Sequence, residues 1–598
     1  MAENETSTLL ENGLKQLTFG WTDYTLFSSL LGVSVLIGIY FGCFGKKQDN
    51  TTEYLLGGKT MTYFPVAMSL IASHISAVSL LAIPVEVYQY GTQYAVCIFT
   101  SLITCVLLSV IYLPVFYRLQ LTSTFEYLEL RFTRVVRLFA SFLYTFASVV
   151  YVPLIVYVPA LAFSQATDIN LHLITPIICI VCIFYTTIGG LKAVVWADTV
   201  QMTVTMGSLF AVFTLGLITV GGVSETWRIA GEGSRIVFWN MDPSPFTRNS
   251  FWGMSVGMVM TWIAGLGISQ ISIQRFLSVP NIKEAYKSIA LMGVCMVIVK
   301  WVSVFTGLIM FAKYHNCDPI STQVISRSDQ LLPYYVMDVA SNVPGLPGLF
   351  LAGLVSAGLS TMSANLNTVA GTIYEDFIDP WLPDSDNKEK RAANIMKATV
   401  VITGLICMGL VLLVDRLGDI FRASMTLHGI TSGAMVGIFT LGMLVPWATS
   451  KGAIAGGLIS LLTMLWIIVG AQVNMVKKRL VYPPLPISSD GCTKMNNYLF
   501  NQTTTTPANP TSSTEKEEPF ILFTISFMYY ALVGFLIVMI VGTVVSFIFG
   551  VPDLKDVDRN LFPPIVQRFL PAKKYTEVPM HSIPTTLVMD AEKEKLSS

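Results

Sequence analysis

Ser69-Leu-Ile-Ala-Ser-His-Ile-Ser-Ala-Val-Ser-Leu-Leu-Ala-Ile-Pro84 decides how this chain is read. The segment around it is long enough to cross a bilayer, yet Ser69, Ser73, His74, Ser76 and Ser79 stand where a lipid-facing helix carries leucines. In hydrocarbon every freed backbone group needs a partner, so an irregular turn survives only where it lines a cavity or holds something. One reading is a discontinuous transporter helix whose unwound carbonyls bind a cation. The other is a continuous helix packed on its neighbours through small residues. The rest of the chain separates them.

Of the 598 residues, 53% are hydrophobic and 12% charged, and the mean hydropathy is +0.63. Soluble domains carry about twice that share of charge, so the composition is that of a polytopic membrane protein in a lipid bilayer. Zero formal net charge argues against nucleic acid as a partner. The start, Met1-Ala-Glu-Asn-Glu-Thr-Ser7, lacks the basic and apolar regions of a cleaved signal peptide. Apart from Cys179-Ile-Val-Cys182, inside an apolar span, the nine cysteines show no Cys-x-x-Cys spacing, so neither a zinc site nor a disulfide framework is indicated. Cys317 and Cys492 fall in polar connections on the same side of the membrane, where a disulfide between them is an option.

A span needs about 20 mainly apolar residues, which predicts thirteen: 24–44, 64–83, 92–116, 137–164, 172–188, 195–219, 251–270, 287–311, 347–372, 396–414, 420–444, 452–471 and 521–549. Basic residues such as Lys46, Lys47, Arg131, Arg134, Arg275 and Lys283 gather in alternate short loops. By the positive-inside rule this puts the N-terminus outside and the C-terminus in the cytoplasm. The sequons at Asn4 and Asn501 then face outward as candidate glycan acceptors, while Asn50 faces inward and stays silent. The expected organisation is an extracellular N-terminus (1–23), a membrane core (24–471), a disordered extracellular loop (472–519), a last helix (520–550) and a flexible cytoplasmic tail (551–598). Oligomeric state is not readable.

No Walker-type phosphate loop is present, and no catalytic or metal-ligand constellation stands out, so neither an ATP-driven pump nor an enzyme is expected. The ninth span carries a second hydroxyl-rich run, Ala357-Gly-Leu-Ser-Thr-Met-Ser-Ala-Asn-Leu-Asn367, in which Ala357, Ser360, Thr361 and Ala364 share a helix face. A desolvated sodium ion takes several neutral oxygens, and carbonyls of a broken helix facing such hydroxyls would supply them. The competing reading has these hydroxyls bonding back to their own helix.

Ordered blocks along residues 20–450 then carry a resemblance. They include Pro65-Val-Ala-Met-Ser-Leu-Ile-Ala-Ser73, Thr122-Ser-Thr-Phe-Glu-Tyr-Leu-Glu-Leu-Arg-Phe132, Thr186-Thr-Ile-Gly-Gly-Leu-Lys-Ala-Val-Val-Trp-Ala-Asp198, Gln270-Ile-Ser-Ile-Gln-Arg275 and Pro344-Gly-Leu-Pro-Gly-Leu-Phe350. With them the chain resembles the sodium/solute symporter family, in the branch of monocarboxylate, multivitamin and iodide transporters. The resemblance implies an all-α, leucine-transporter-like core of two inverted five-helix repeats, about 64–219 and 251–444. The first helix of each repeat would be broken, near Ala72–Ser76 and near Gly265–Gly267. Carried over by position, sodium would meet the carbonyls of Ala72, Ile75 and Ala357 and the hydroxyls of Ser360 and Thr361. Substrate would meet Ser76, Ser79, Ser101, Tyr151, Trp262 and His428.

Two residues depart from that pattern. His74 stands in the first break, where the resemblance expects Phe, and could contact substrate, titrate, or bond a freed carbonyl. Lys300 stands mid-span where an apolar residue is expected, and an intramembrane charge is functional by default. Asp198 and Arg275 are charges placed toward the cytoplasm, serving either an ion exit route or a structural pair. The function implied is sodium-coupled import of a small organic anion across the plasma membrane, with Na+ as coupling ion and no cofactor. An iodide-like inorganic anion carrier and a non-transporting sensor of the same fold are the alternatives.

Overall fold

A computed structural model describes residues 19–44, 51–167, 169–325, 327–341, 343–383, 388–414, 420–489, 492, 519–552, 554 and 557–571. The sequons at Asn4 and Asn501 lie outside the described residues. Every regular element among those residues is helical. The principal helices are α1 (Trp21–Ile39), α2 (Tyr63–His74), α3 (Ala77–Tyr90), α4 (Cys97–Leu107), α5 (Arg134–Thr167), α6 (Leu171–Val220), α7 (Met258–Leu266), α8 (Gln270–Leu277), α9 (Ile282–Tyr314), α10 (Leu346–Thr372), α11 (Lys388–Val414), α12 (Ile420–Leu444), α13 (Ser450–Val476) and α14 (Tyr530–Ile548).

Among the described residues nine helical stretches are long and apolar enough to cross a membrane, and eleven if each bent pair counts as one span. The expected thirteen is reached only by two further steps. One is to divide α6, which merges the segments 172–188 and 195–219 into one element of 50 residues. At 1.5 Å per residue such a helix is about 75 Å long, far beyond the roughly 30 Å hydrocarbon core. Gly190 interrupts it with φ 54° and ψ −158°, a conformation open to glycine and strained for any residue with a Cβ. The other is to count α12, whose qualifying apolar part is the shorter stretch His428–Leu444.

Helix position follows side-chain size. Along α10 the most apolar window is 94% buried, against 28% for the window in α14. The hydroxyl-rich α10 therefore sits at the centre, packed on α6 and α5, while the leucine-, valine- and isoleucine-rich α14 lies on α12 and α13 at the lipid-facing side. Close packing also joins α9 to α3. A Cβ on Gly307 would stand 2.5 Å from the carbonyl oxygen of Pro84, so only glycine allows this approach.

Two expectations about loops are corrected. The connection after α13 is not disordered over residues 480–489. Arg235 donates to the carbonyls of Pro486 (2.6 Å) and Leu485 (3.3 Å), the Leu485 N–H donates to Gln89 O at 2.8 Å, and Cys492 is bonded to Cys317. A chain pinned by its own carbonyls to a buried guanidinium loses its freedom without needing regular structure. The tail is likewise docked at its start: Leu561 and Phe562 are buried, Tyr127 donates to the Leu561 carbonyl at 3.2 Å, and Arg131 stacks over Phe562 at 5.2 Å.

Candidate functional site

The opening stretch is broken. α2 ends at His74; Ile75 leaves helical geometry (φ −89°, ψ 79°), and Ser76 is extended (φ −72°, ψ 163°) before α3 resumes at a 60° angle. The Ser76 hydroxyl caps the new helix by accepting from the Ser79 N–H at 3.4 Å. The second break lies slightly later than the expected Gly265–Gly267. Helix α7 persists through Leu266, and the chain turns at Gly267–Ser269 before α8, bent by 58°.

His74 joins the two breaks. Its Nε2 is 2.9 Å from Ser272 Oγ, and Ser272 donates to the Gly265 carbonyl at 2.8 Å. The single Ser272 proton is thereby committed, so His74 Nε2 must be the donor of the other bond. His74 thus bonds a hydroxyl rather than a carbonyl, and the Ser272 hydroxyl is what meets the Gly265 carbonyl. Ser272 was not singled out in the sequence; its only signal is its place three residues before Arg275, directly after the second break.

Between the breaks lies a cavity of about 240 Å³. Ile75, Ser76, Ser79, Tyr151, Trp262, Thr361 and His428 line it, together with His74 and Lys300. Tyr151 and His428 meet edge to face at 4.3 Å. Ser101 does not line it: its hydroxyl lies behind the wall, 2.6 Å from Lys300 Nζ. A serine on a buried helix face can serve a neighbouring side chain as readily as the cavity, and sequence position does not separate the two. Asn365, Thr431 and Ser303 also line the cavity, and none was anticipated as a wall residue.

Beside the first break, α10 carries the hydroxyl run. Thr361 Oγ1 donates back to the Ala357 carbonyl at 2.9 Å, as the competing reading had it. Ser360 does not: its Oγ is buried beside the Asp198 carboxylate, while Ser73 Oγ on α2 is buried without a protein partner. Ala72 and Ala357 are both buried, and α2 packs against α10. Further along the same packing, Asp198 and Arg275 are fully buried and form an ion pair at 3.2 Å. Ser69 lies within the pair, donating to Asp198 Oδ2 at 2.5 Å and accepting from Arg275 Nε at 2.7 Å. No cluster of three or more His, Cys, Asp or Glu able to hold a metal ion occurs among the described residues; the oxygens gathered here are carbonyls and hydroxyls, with the Asp198 carboxylate beside them.

The family pattern described as "Sodium:solute symporter family" matches residues 54–460. The chain belongs to this family. The symporter is 36% identical over 542 residues to human sodium-coupled monocarboxylate transporter 1, which spans 88% of this chain and 87% of the relative. It is 36% identical over 536 residues to the sodium-dependent multivitamin transporter of Oryctolagus cuniculus, covering 89% and 83% of the two chains. Its fold matches a Na+-coupled sialic acid symporter, solved in a substrate-bound outward-open state, with a TM-score of 0.73 at 21% identity over 89% of this chain and 99% of that one. The architecture is thus the leucine-transporter-like one, with two broken helices in an all-α membrane core.

Proposed function

We propose that this symporter imports a small organic anion across the plasma membrane, driven by Na+ entering with it. The observation that carries the reading is the cavity between two helix breaks, with a buried hydroxyl, Ser360, on the helix packed beside the first break. The relatives' names, monocarboxylate and multivitamin transporters, favour an organic anion over an inorganic one.

In this reading Na+ is held by the carbonyls of Ala72, Ile75 and Ala357 and by the hydroxyls of Ser360 and Thr361. Donation from Thr361 to Ala357 leaves the lone pairs of its hydroxyl oxygen free to face a cation. A cation held from both α2 and α10 ties the broken helix to the central one, which favours one packing of the two repeats over the other. That is how ion binding would bias alternating access. One charge moving through 100 mV releases about 2.3 kcal/mol, and the sodium concentration gradient adds to it. Substrate lies against Ser76, Ser79, Tyr151, Trp262 and His428. The basic inner loops put the N-terminus outside and the C-terminus inside. The Cys317–Cys492 bond supports this orientation, since disulfides persist on the oxidising face.

The test is radiolabelled uptake of lactate, nicotinate, pantothenate, biotin and iodide in sodium against choline medium. Sodium-dependent uptake of at least one carboxylate is expected, and uptake of iodide alone, or ligand-evoked current without flux, would replace this reading by one of its alternatives. Ser360→Ala and Thr361→Ala are each expected to raise the half-saturating sodium concentration about tenfold, equivalent to roughly 1.4 kcal/mol for one lost ligand. Unchanged sodium affinity in both removes this sodium site.

A further inference from the structure

Lys300 lies near the middle of α9, 3% exposed, with its ammonium 4.1 Å over the Trp262 ring, 2.6 Å from Ser101 Oγ and 3.4 Å from the Cys97 carbonyl. None of these partners carries a formal charge. No Asp or Glu lines the cavity among the described residues, and Lys300 is its single Lys or Arg. A buried ammonium held only by a hydroxyl, a carbonyl and a π face is left short of the anion that would balance it.

One turn along the same helix, Ser303 faces the same cavity. It is fully buried, and its hydroxyl has no partner. Thr306, next on that helix, bonds back to the Val302 carbonyl in the usual way, so the free hydroxyl of Ser303 is specific to its position. A cation and an unsatisfied donor one turn apart on one helix, both from residues that line the cavity, form a two-point site for a carboxylate. Ile83, Met258, Trp262 and Val299 give the wall apolar patches among its hydroxyl, amide and imidazole groups.

We infer that Lys300, assisted by Ser303, anchors the carboxylate of a monoanionic substrate, with the apolar body of that substrate against Trp262. This rests on the cavity being the substrate site of an organic-anion symporter. The charge count sets the specificity. One cation balances one carboxylate, while a dicarboxylate would bury a second charge with no second Lys or Arg in the wall to meet it. A neutral amide of the same shape would leave the ammonium unbalanced. Because Trp262 and Ser101 come from two other helices, substrate binding to Lys300 also draws on the mutual packing of α4, α7 and α9.

The experiment measures sodium-dependent uptake of radiolabelled butyrate by the full chain in cells, with surface biotinylation to normalise density and with butyramide and succinate as competitors. Wild type is expected to be inhibited by unlabelled butyrate and by neither competitor. Lys300→Leu is expected to raise the butyrate KM by about 30-fold or more, the scale of removing one member of a buried charge pair. Lys300→Arg should keep it within about tenfold of wild type, and Ser303→Ala should raise it about fivefold, the scale of one hydrogen bond. A Lys300→Leu protein that reaches the surface with an unchanged butyrate KM overturns the anchor and leaves the symport reading standing. Butyramide competing as well as butyrate in wild type overturns it too, whatever becomes of the variants. A wild type with no sodium-dependent uptake of any carboxylate overturns the symport reading, and the anchor with it.

Discussion

Arg275 and Lys300 are both cations sealed inside the membrane domain, and the protein surrounds them differently. Arg275 meets Asp198 Oδ2 at 3.2 Å, Ser69 Oγ at 2.7 Å and the Ile271 carbonyl at 2.9 Å, and is completely buried. Lys300 is almost as buried, yet has a serine, a carbonyl and an indole for company. Arg275 has its charge balanced inside the fold, and its planar fork suits a carboxylate and a hydroxyl at once. Lys300 offers a compact charge on a flexible stem, directed at a cavity. A buried cation with its own carboxylate holds helices together; one without a carboxylate waits for an anion from outside.

The comparison breaks most visibly at Asp198. Asp198→Ala leaves the Arg275 guanidinium buried and unpaired, an expected loss of about 3–5 kcal/mol. It should appear as a drop in melting temperature of the purified protein and as poor surface delivery. Ser69→Ala removes one hydrogen bond to each member of the pair while keeping the pair itself. The expected loss is smaller, about 1.5–3 kcal/mol for bonds to charged groups, read in the same melting experiment. Lys300→Leu should cost the least. Replacing a poorly balanced buried charge with an apolar side chain of similar reach is neutral or stabilising, so its melting temperature should match or exceed that of wild type even as substrate affinity falls. If Lys300→Leu melts as low as Asp198→Ala, Lys300 is structural like Arg275 and the contrast collapses.

The two helix breaks show what was legible in the chain and what was not. The first was readable because Ser73, His74, Ser76 and Ser79 put polarity where hydrocarbon tolerates none without a reason. The second, placed near Gly265–Gly267 by the resemblance, lies slightly later in the structure. The structure keeps Gly265 helical, with its carbonyl satisfied by Ser272, and turns after Leu266 instead. The helix ends where its carbonyls find side-chain partners, and those partners sit beyond the break. The same limit explains Ser101. The resemblance made it a wall residue, but an amine 199 residues away in sequence holds its hydroxyl behind the wall. The outer connection looked like a disordered loop because its composition is that of one; Arg235, on a different segment, pins residues 485 and 486.

The sequence by itself determined the membrane class, the family and two hydroxyl-rich runs, while the resemblance implied the two interrupted helices. Apolar length and the cost of stranded polar groups in lipid act along the chain, residue by residue, and need no partner to be read. Only the tertiary structure decided which polar groups satisfy each other. It tied His74 to Ser272, closed Arg275 on Asp198 through Ser69, and left Lys300 and Ser303 open to the cavity. Those outcomes depend on how helices distant in sequence rotate and pack, because a buried side chain's role is set by what the packed neighbour presents to it.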